Sequence, residues 1–445
     1  MSSQNKQSSS RREFLKTSGA TVAAASAMAL TGVARGGVHV FGSDTIRVGL
    51  IGCGGRGTGA AVQAMNTQSG NVELAAVGDV FESRTKQAIK ACRESHEAKV
   101  TLTDDSIFTG FDAYKKVLAS NVNLVILATP PGFRPLQFEA AIDAGKHVFM
   151  EKPVAVDAPG VRRILQATEK AKQKGLAVGV GLQRRHERLY RETIGAIQEG
   201  IIGDPVLAQA YWNQGSLWVV KKDEKESELQ HQIRNWLYFA WLSGDHIVEQ
   251  HIHNLDVINW ANDSFPVKAQ GMGGRQVRTG AGHGEIFDHH AVEYTYANGL
   301  VMSSQCRQIP DCWNAVSEHL YGTKGYCDIS AGRIVDRTGK ELYKATGSRD
   351  GHQQEHHDLF ADLRNGIIPN EGEFGAKSTM TAIMGRLATY TGREITWDQA
   401  LASNIKLADF DSFKSLADEA PVKRNENGEY DFPLPGKDFN KYIDW

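Results

Sequence analysis

Ile46-Arg47-Val48-Gly49-Leu50-Ile51-Gly52-Cys53-Gly54-Gly55-Arg56-Gly57 decides the fold. An apolar run of strand character enters a G-x-G-x-x-G signature, and Thr58 to Met65 continues with helical character. A second apolar run, Val72 to Val77, leads to Asp79. Strand, glycine turn, helix, strand and acidic residue, in that order, are what a dinucleotide-binding βαβ unit requires. Gly52 permits the tight turn, Gly54 lets backbone approach a pyrophosphate, and Gly57 lets helix and strand pack closely. Cys53, Gly55 and Arg56 complete the candidate cofactor loop. The helix N-terminus offers unpaired N–H groups to the phosphates, and Asp79 is placed to accept from the adenosine ribose. Its carboxylate repels a 2′-phosphate, so NAD is expected, with Arg84 close enough in sequence to keep NADP open.

Beyond Asp79 the pattern alternates. Ser83 to Glu97, Phe111 to Ala119, Leu136 to Ala144 and Val161 to Lys174 read as helices. Leu124 to Ala128, His147 to Met150 and Ala177 to Leu182 read as strands. This predicts a doubly wound parallel sheet with helices on both faces. After about residue 185 the signals become antiparallel. Asn298-Gly299 and Gly322-Thr323-Lys324-Gly325 are hairpin turns between apolar runs. Ile247 to Trp260 reads as one helix, and Glu355 to Asn365 and Ser378 to Gly392 as late helices. The expected organisation is a signal and linker over 1–44, an NAD(P)-binding Rossmann domain over 45–183, and a second α/β domain with a large, mostly antiparallel sheet over 184–445.

Over 445 residues the net charge is only −2, which argues against nucleic acid as a partner. The five cysteines have no metal-ligand spacing, and no metal is expected. Ser10-Arg11-Arg12-Glu13-Phe14-Leu15-Lys16, followed by a mild Ala/Gly-rich run, fits a twin-arginine export signal. The translocation machinery is then a partner and the periplasm the expected location. An exported enzyme cannot draw on the cytosolic NAD pool, so the nucleotide is expected to stay tightly bound.

Two constellations carry chemistry. Thr129-Pro130 and Glu151-Lys152-Pro153 fall at the carboxyl ends of strands, where doubly wound sheets bind ligands. Lys152 there could stabilise a substrate alkoxide. In Gly244 to Asp256, a continuous helix would put Glu249, His253 and Asp256 on one face, with Glu249 orienting His253 as a general base; zinc chelation and a purely structural helix are the competing readings. His352-Gln353-Gln354-Glu355-His356 matches the H-x-x-E-H pattern, here read as a polar face of a cleft or a subunit contact.

With these motifs the chain resembles the Gfo/Idh/MocA oxidoreductases, the group of glucose–fructose oxidoreductase and inositol dehydrogenase. The carrying residues are Gly52 to Gly57, Thr129-Pro130, Glu151-Lys152-Pro153, His253-x-x-Asp256 and Gly322 to Gly325. The resemblance implies an NAD(P)-dependent dehydrogenase for a sugar or cyclitol, with Lys152 and His253 at the reacting hydroxyl and Asp256 on another. It also implies a second domain whose open sheet forms a homodimer or homotetramer. Two positions depart from the family pattern. Glu249 stands where an aspartate is usual, and Arg134 where a histidine is frequent. Arg134, Arg184, His251 and Asp256 are the substrate-binding candidates. Some members of the superfamily are NAD-dependent glycosidases, so hydrolysis by transient oxidation, elimination and re-reduction is the alternative.

Overall fold

The computed structural model describes residues 44–445 except 281, 438 and 445, so the export signal lies outside the described residues. Six parallel strands form the first sheet: β1 (Ile46–Ile51), β2 (Val72–Asp79), β3 (Ile107–Thr109), β4 (Leu124–Leu127), β5 (His147–Met150) and β6 (Val178–Val180). Their order is β3-β2-β1-β4-β5-β6. The helix Gly55–Met65 follows β1, Glu82–His96 follows β2 and Ala158–Lys174 follows β5. β4, β5 and β6 are buried along their whole length, as strands covered on both faces must be. Strand order reverses between β1 and β4, and the carboxyl ends of both open there into a crevice.

The second sheet has nine strands: β7 (Pro205–Gln214), β8 (Pro266–Gly274), β9 (His289–Tyr296), β10 (Val301–Gln308), β11 (Ala315–Gly322), β12 (Gly325–Asp328), β13 (Arg333–Asp336), β14 (Glu341–Lys344) and β15 (Ile395–Thr396). All neighbours are antiparallel except β7 and β10. The expected mostly antiparallel sheet is present. One face packs against the helices Ile252–Ala261 and Gly372–Thr391. On the other, Leu207 and Met272 are exposed and Tyr211 and Tyr321 half-buried.

The single helix expected over Ile247 to Trp260 is two: His246–Glu249 and Ile252–Ala261. In an unbroken helix the main-chain oxygen of Glu249 would accept from the N–H of His253. Here Lys152 Nζ donates to that oxygen at 2.6 Å, and the His253 N–H turns to Gln250 O at 3.3 Å. A side chain from the end of β5 thus ends the helix that carries Glu249.

Candidate active site

The glycine loop is built for a ligand. Gly52 has φ +93°, and a Cβ there would lie 2.5 Å from the main chain of Ala128 and Thr129. A Cβ on Gly57 would sit 1.9 Å from Gly52 O, so helix and strand touch backbone to backbone. Gly54 and Gly55 differ: a Cβ on either would meet nothing within 4 Å. Both face a cavity of about 760 Å³ whose wall also includes Gly52, Gly57, Asp79 and Arg84. The helix Gly55–Met65 starts at its edge with no side-chain cap, leaving its N–H groups for a phosphate.

Asp79 ends β2 with its carboxylate accepting from the Cys53 N–H (2.7 Å) and the Phe81 N–H (2.9 Å). Burial pushes its pKa up, against these hydrogen bonds and the charge of Arg84. Cys53 therefore gives its N–H to Asp79, and its buried thiol points to Gly78 O rather than into the cavity. That corrects its expected role in the cofactor loop. Arg56 lines the cavity, but its guanidinium is bound to Glu151 (2.5 Å), Glu355 (2.9 Å) and Gln63 (2.7 Å).

The same cavity continues past Thr129, Pro130 and Glu151 to Lys152, Glu249 and His253. Lys152 Nζ also donates to Glu249 Oε1 at 2.8 Å, and both side chains are mostly buried. Glu249 is therefore the partner of Lys152 and not the orienting group of His253. The break in the helix removes the turn that would have aligned them. His253 is nearly buried, stacks on Trp212 at 5.8 Å between ring centroids, and has Nδ1 without a hydrogen-bond partner. Burial, then the charges of Lys152 and Arg184, hold its pKa well below the usual histidine value. It is a neutral imidazole at neutral pH and can accept a proton.

Four candidates for substrate contact are occupied elsewhere. Asp256 accepts from Arg185 Nε and Nη2, each at 2.8 Å, and from Ser378 Oγ at 2.6 Å, and it does not reach the cavity. Arg184 forms a buried pair with Glu318, which also accepts from Asn254 at 2.6 Å. His251 is buried with Nε2 2.7 Å from Ser304 Oγ, and burial takes its pKa down to about 3. Arg134 does border the cavity, but it is buried and its guanidinium donates to Pro153 O and Thr129 O, tying two site loops together. A polar residue in sequence carries no mark of its eventual partner, and each of these found one.

The structure adds Gln250 to the cavity wall and puts His352 there, in line with one of the two readings of its stretch. Gln250 sits inside the motif that singled out its neighbours, and His352 opens the H-x-x-E-H stretch. A further wall comes from Trp218, Val220, Ile233 and Trp236. Behind it, Leu217 and Trp236 pack in one apolar cluster with Phe81 and Phe111 of the first sheet's loops and Phe410 and Phe413 near the C-terminus. Among the described residues, one group has metal-ligand geometry: Asp245, His246 and His290, whose ligand-type atoms lie within 4.8 Å of one another. It lies off the cavity wall, and Asp245 already accepts from His246 N–H, Phe287 N–H and Tyr390 Oη.

Residues 46–181 match the GFO_IDH_MocA family model, described as an oxidoreductase family with an NAD-binding Rossmann fold. The chain is 29% identical over 234 residues to inositol 2-dehydrogenase/D-chiro-inositol 3-dehydrogenase of Halalkalibacterium halodurans, which covers 51% of this chain and 58% of the relative. It is 25% identical over 242 residues to a glycosyl hydrolase family 109 protein of a Shewanella species, covering 51% of this chain and 49% of the relative. The chain thus spans about half the length of the curated relatives it matches. Among solved structures, apo scyllo-inositol dehydrogenase from Lactobacillus casei superposes with a TM-score of 0.60 at 21% identity, covering 80% of this chain and 100% of that one. Levoglucosan dehydrogenase in complex with NADH and levoglucosan gives 0.62 at 15% identity with the same coverage. At these identities the likeness speaks for the fold.

Proposed function

From residues 46–181 as the NAD-binding Rossmann unit of an oxidoreductase family, we propose that the chain transfers a hydride between a hydroxyl-bearing carbon of a sugar or cyclitol and a nicotinamide dinucleotide. Gly54 and Gly55 leave room for a pyrophosphate at a helix N-terminus, and Asp79 takes the adenosine ribose, favouring NAD over NADP. When bound, the coenzyme supplies the hydride acceptor. The Lys152 ammonium holds the substrate oxygen and lowers the cost of its alkoxide. His253, neutral, takes the hydroxyl proton. The reading is carried by one observation: Lys152, from the end of β5, and His253, from the helix Ile252–Ala261, line the same cavity as the glycine loop.

The apolar cluster joining Phe81 and Phe111 to Trp236 and Phe413 walls the nucleotide side of that cavity, which supports a coenzyme that leaves slowly. Such a coenzyme suits a protein exported already folded through the twin-arginine route. A retained coenzyme must be re-oxidised in place. That favours, as a second reading, glycoside hydrolysis with no net redox change, in keeping with the family 109 relatives. The open face of the second sheet, with Leu207 and Met272, would join copies of the chain.

Mass spectrometry of small molecules released from the denatured purified protein tests the proposal. NAD is the expected product. A protein that carries no dinucleotide and binds none when it is supplied would overturn the reading. Oxidised sugar accumulating with NADH identifies a dehydrogenase, and free sugar released from a glycoside without net NADH identifies the hydrolase.

A further inference from the structure

The sequence predicts a carboxylate orienting His253; the structure instead places a carboxyl group beside His352, 3.6 Å away. Glu249 is taken by Lys152, and His253 Nδ1 has no partner. His352 stands on the same cavity wall, near the start of the helix Gly351–Arg364, with its side chain half open. One turn on, Glu355 lies with Oε1 3.6 Å from His352 Nδ1. Glu355 is buried, its Oε1 also accepts from Arg56, and its Oε2 has no partner. Arg56 bridges it to Glu151, the residue before Lys152. Burial and the neighbouring Glu151 push the Glu355 pKa well up, against the charges of Arg56 and His186. His352 itself is kept neutral by burial and by the charge of Arg56.

We propose that His352, backed by Glu355, is a second proton-transfer residue of this site, acting on the substrate C–H next to the carbonyl carbon that carbinol oxidation creates. This rests on the oxidoreductase reading for the identity of the carbonyl compound. In the step, the C–H proton passes to the His352 imidazole. The C–H electron pair becomes the C=C bond of an enolate, and the C=O pair moves to the oxygen held by Lys152. The reverse step returns a proton to the same carbon, so nothing is consumed. Where the next carbon bears an O-linked group, the enolate pair expels it as an alkoxide, and that alkoxide takes the proton from His352. Oxidation alone needs one base, which His253 supplies; a second imidazole has work only if a C–H or a leaving group is also handled.

The test offers the ketone ready-made, so that no hydride transfer is needed. The whole protein is incubated with a keto-cyclitol in deuterated water, and loss of the C–H signal beside the carbonyl is followed by NMR. Wild type is expected to exchange well above buffer. His352→Asn should lower the exchange rate by about 10²-fold or more, His352→Ala should regain activity with added imidazole, and Glu355→Gln should slow exchange while leaving ketone affinity unchanged. Wild type should also reduce its bound nucleotide with a sugar alcohol. Exchange at the wild-type rate in His352→Asn, or none in a wild-type protein that binds the ketone, would overturn the assignment. Exchange without any nucleotide reduction would instead sink the oxidoreductase reading and leave His352 standing.

Discussion

Lys152 Nζ lies 2.6 Å from the main-chain oxygen of Glu249 and 2.8 Å from its carboxylate. One ammonium group thus ends a helix in the second half of the chain while standing in the cavity. Replacing it by methionine keeps the bulk and removes both functions. Lys152→Met should lower single-turnover nucleotide reduction by ~10²–10³-fold, the usual loss for one donor to a developing oxyanion. Glu249→Gln keeps the main-chain contact and should cost less. Reduction within tenfold of wild type in Lys152→Met would exclude the ammonium from the reacting oxygen.

The glycines separate a folding role from a binding role. A side chain at Gly54 meets nothing within 4 Å, whereas one at Gly57 meets Gly52 O at 1.9 Å. Gly54→Val should therefore fold with the melting temperature of nucleotide-free wild type and purify without nucleotide, because its methyl groups fill the space the pyrophosphate needs. Gly57→Val should be strongly destabilised or insoluble, because backbone must move. Thermal unfolding alongside the dinucleotide content of each purified variant distinguishes them. A Gly54→Val protein that still carries its dinucleotide would refute the cradle.

The features legible in sequence are those whose cause lies within a few residues. Positive φ at Gly52 and the run from β1 into the helix Gly55–Met65 follow from local spacing, and Asn298-Gly299 marks the β9–β10 hairpin for the same reason. β8 carries no clear strand signal in sequence because Gly271, Gly273 and Gly274 dilute its character; it exists through its pairing with β9. The helix break at Glu249 was hidden for a different reason: its cause, Lys152, is 97 positions away. Asp256 and Arg184 read as substrate-binding candidates in the sequence, but Arg185 and Glu318 claim them. Chemical type could be read from the sequence, but not which partner each charge would find.

Coenzyme choice hangs on Asp79. Its carboxylate is fixed by the N–H groups of Cys53 and Phe81, so it cannot swing away from a 2′-phosphate. Asp79→Asn removes the charge and keeps an acceptor for one of the two N–H groups, since Cys53 and Phe81 donate to different carboxylate oxygens. The ratio of NADP to NAD affinity should rise about tenfold, or roughly 1.4 kcal/mol. Arg84, on the same cavity wall, should then matter, and Asp79→Asn with Arg84→Ala should lose most of the gain. Fluorescence titration of nucleotide-free protein with each coenzyme measures the ratio. An unchanged ratio in Asp79→Asn would remove Asp79 from the ribose site.

His186 makes stability depend on pH in a direction opposite to that of the site histidines. Its Nδ1 is 2.7 Å from Asp358 Oδ2 and its Nε2 3.2 Å from Glu371 Oε1. Burial pulls its pKa down, but the hydrogen bonds to Asp358 and Glu371 outweigh it and raise the value to about 9. A folded pKa above the unfolded 6.5 means that the native state holds the proton more tightly. The stabilisation is therefore complete below about pH 6.5 and is lost as pH rises towards 9. Its full size is on the order of 3 kcal/mol. Urea unfolding of wild type and His186→Gln should show the widest gap near pH 6, narrowing steadily to about pH 9. A gap that stays constant or widens with pH would mean that His186 is neutral in the folded protein and that Asp358 and Glu371 hold it only as a polar contact.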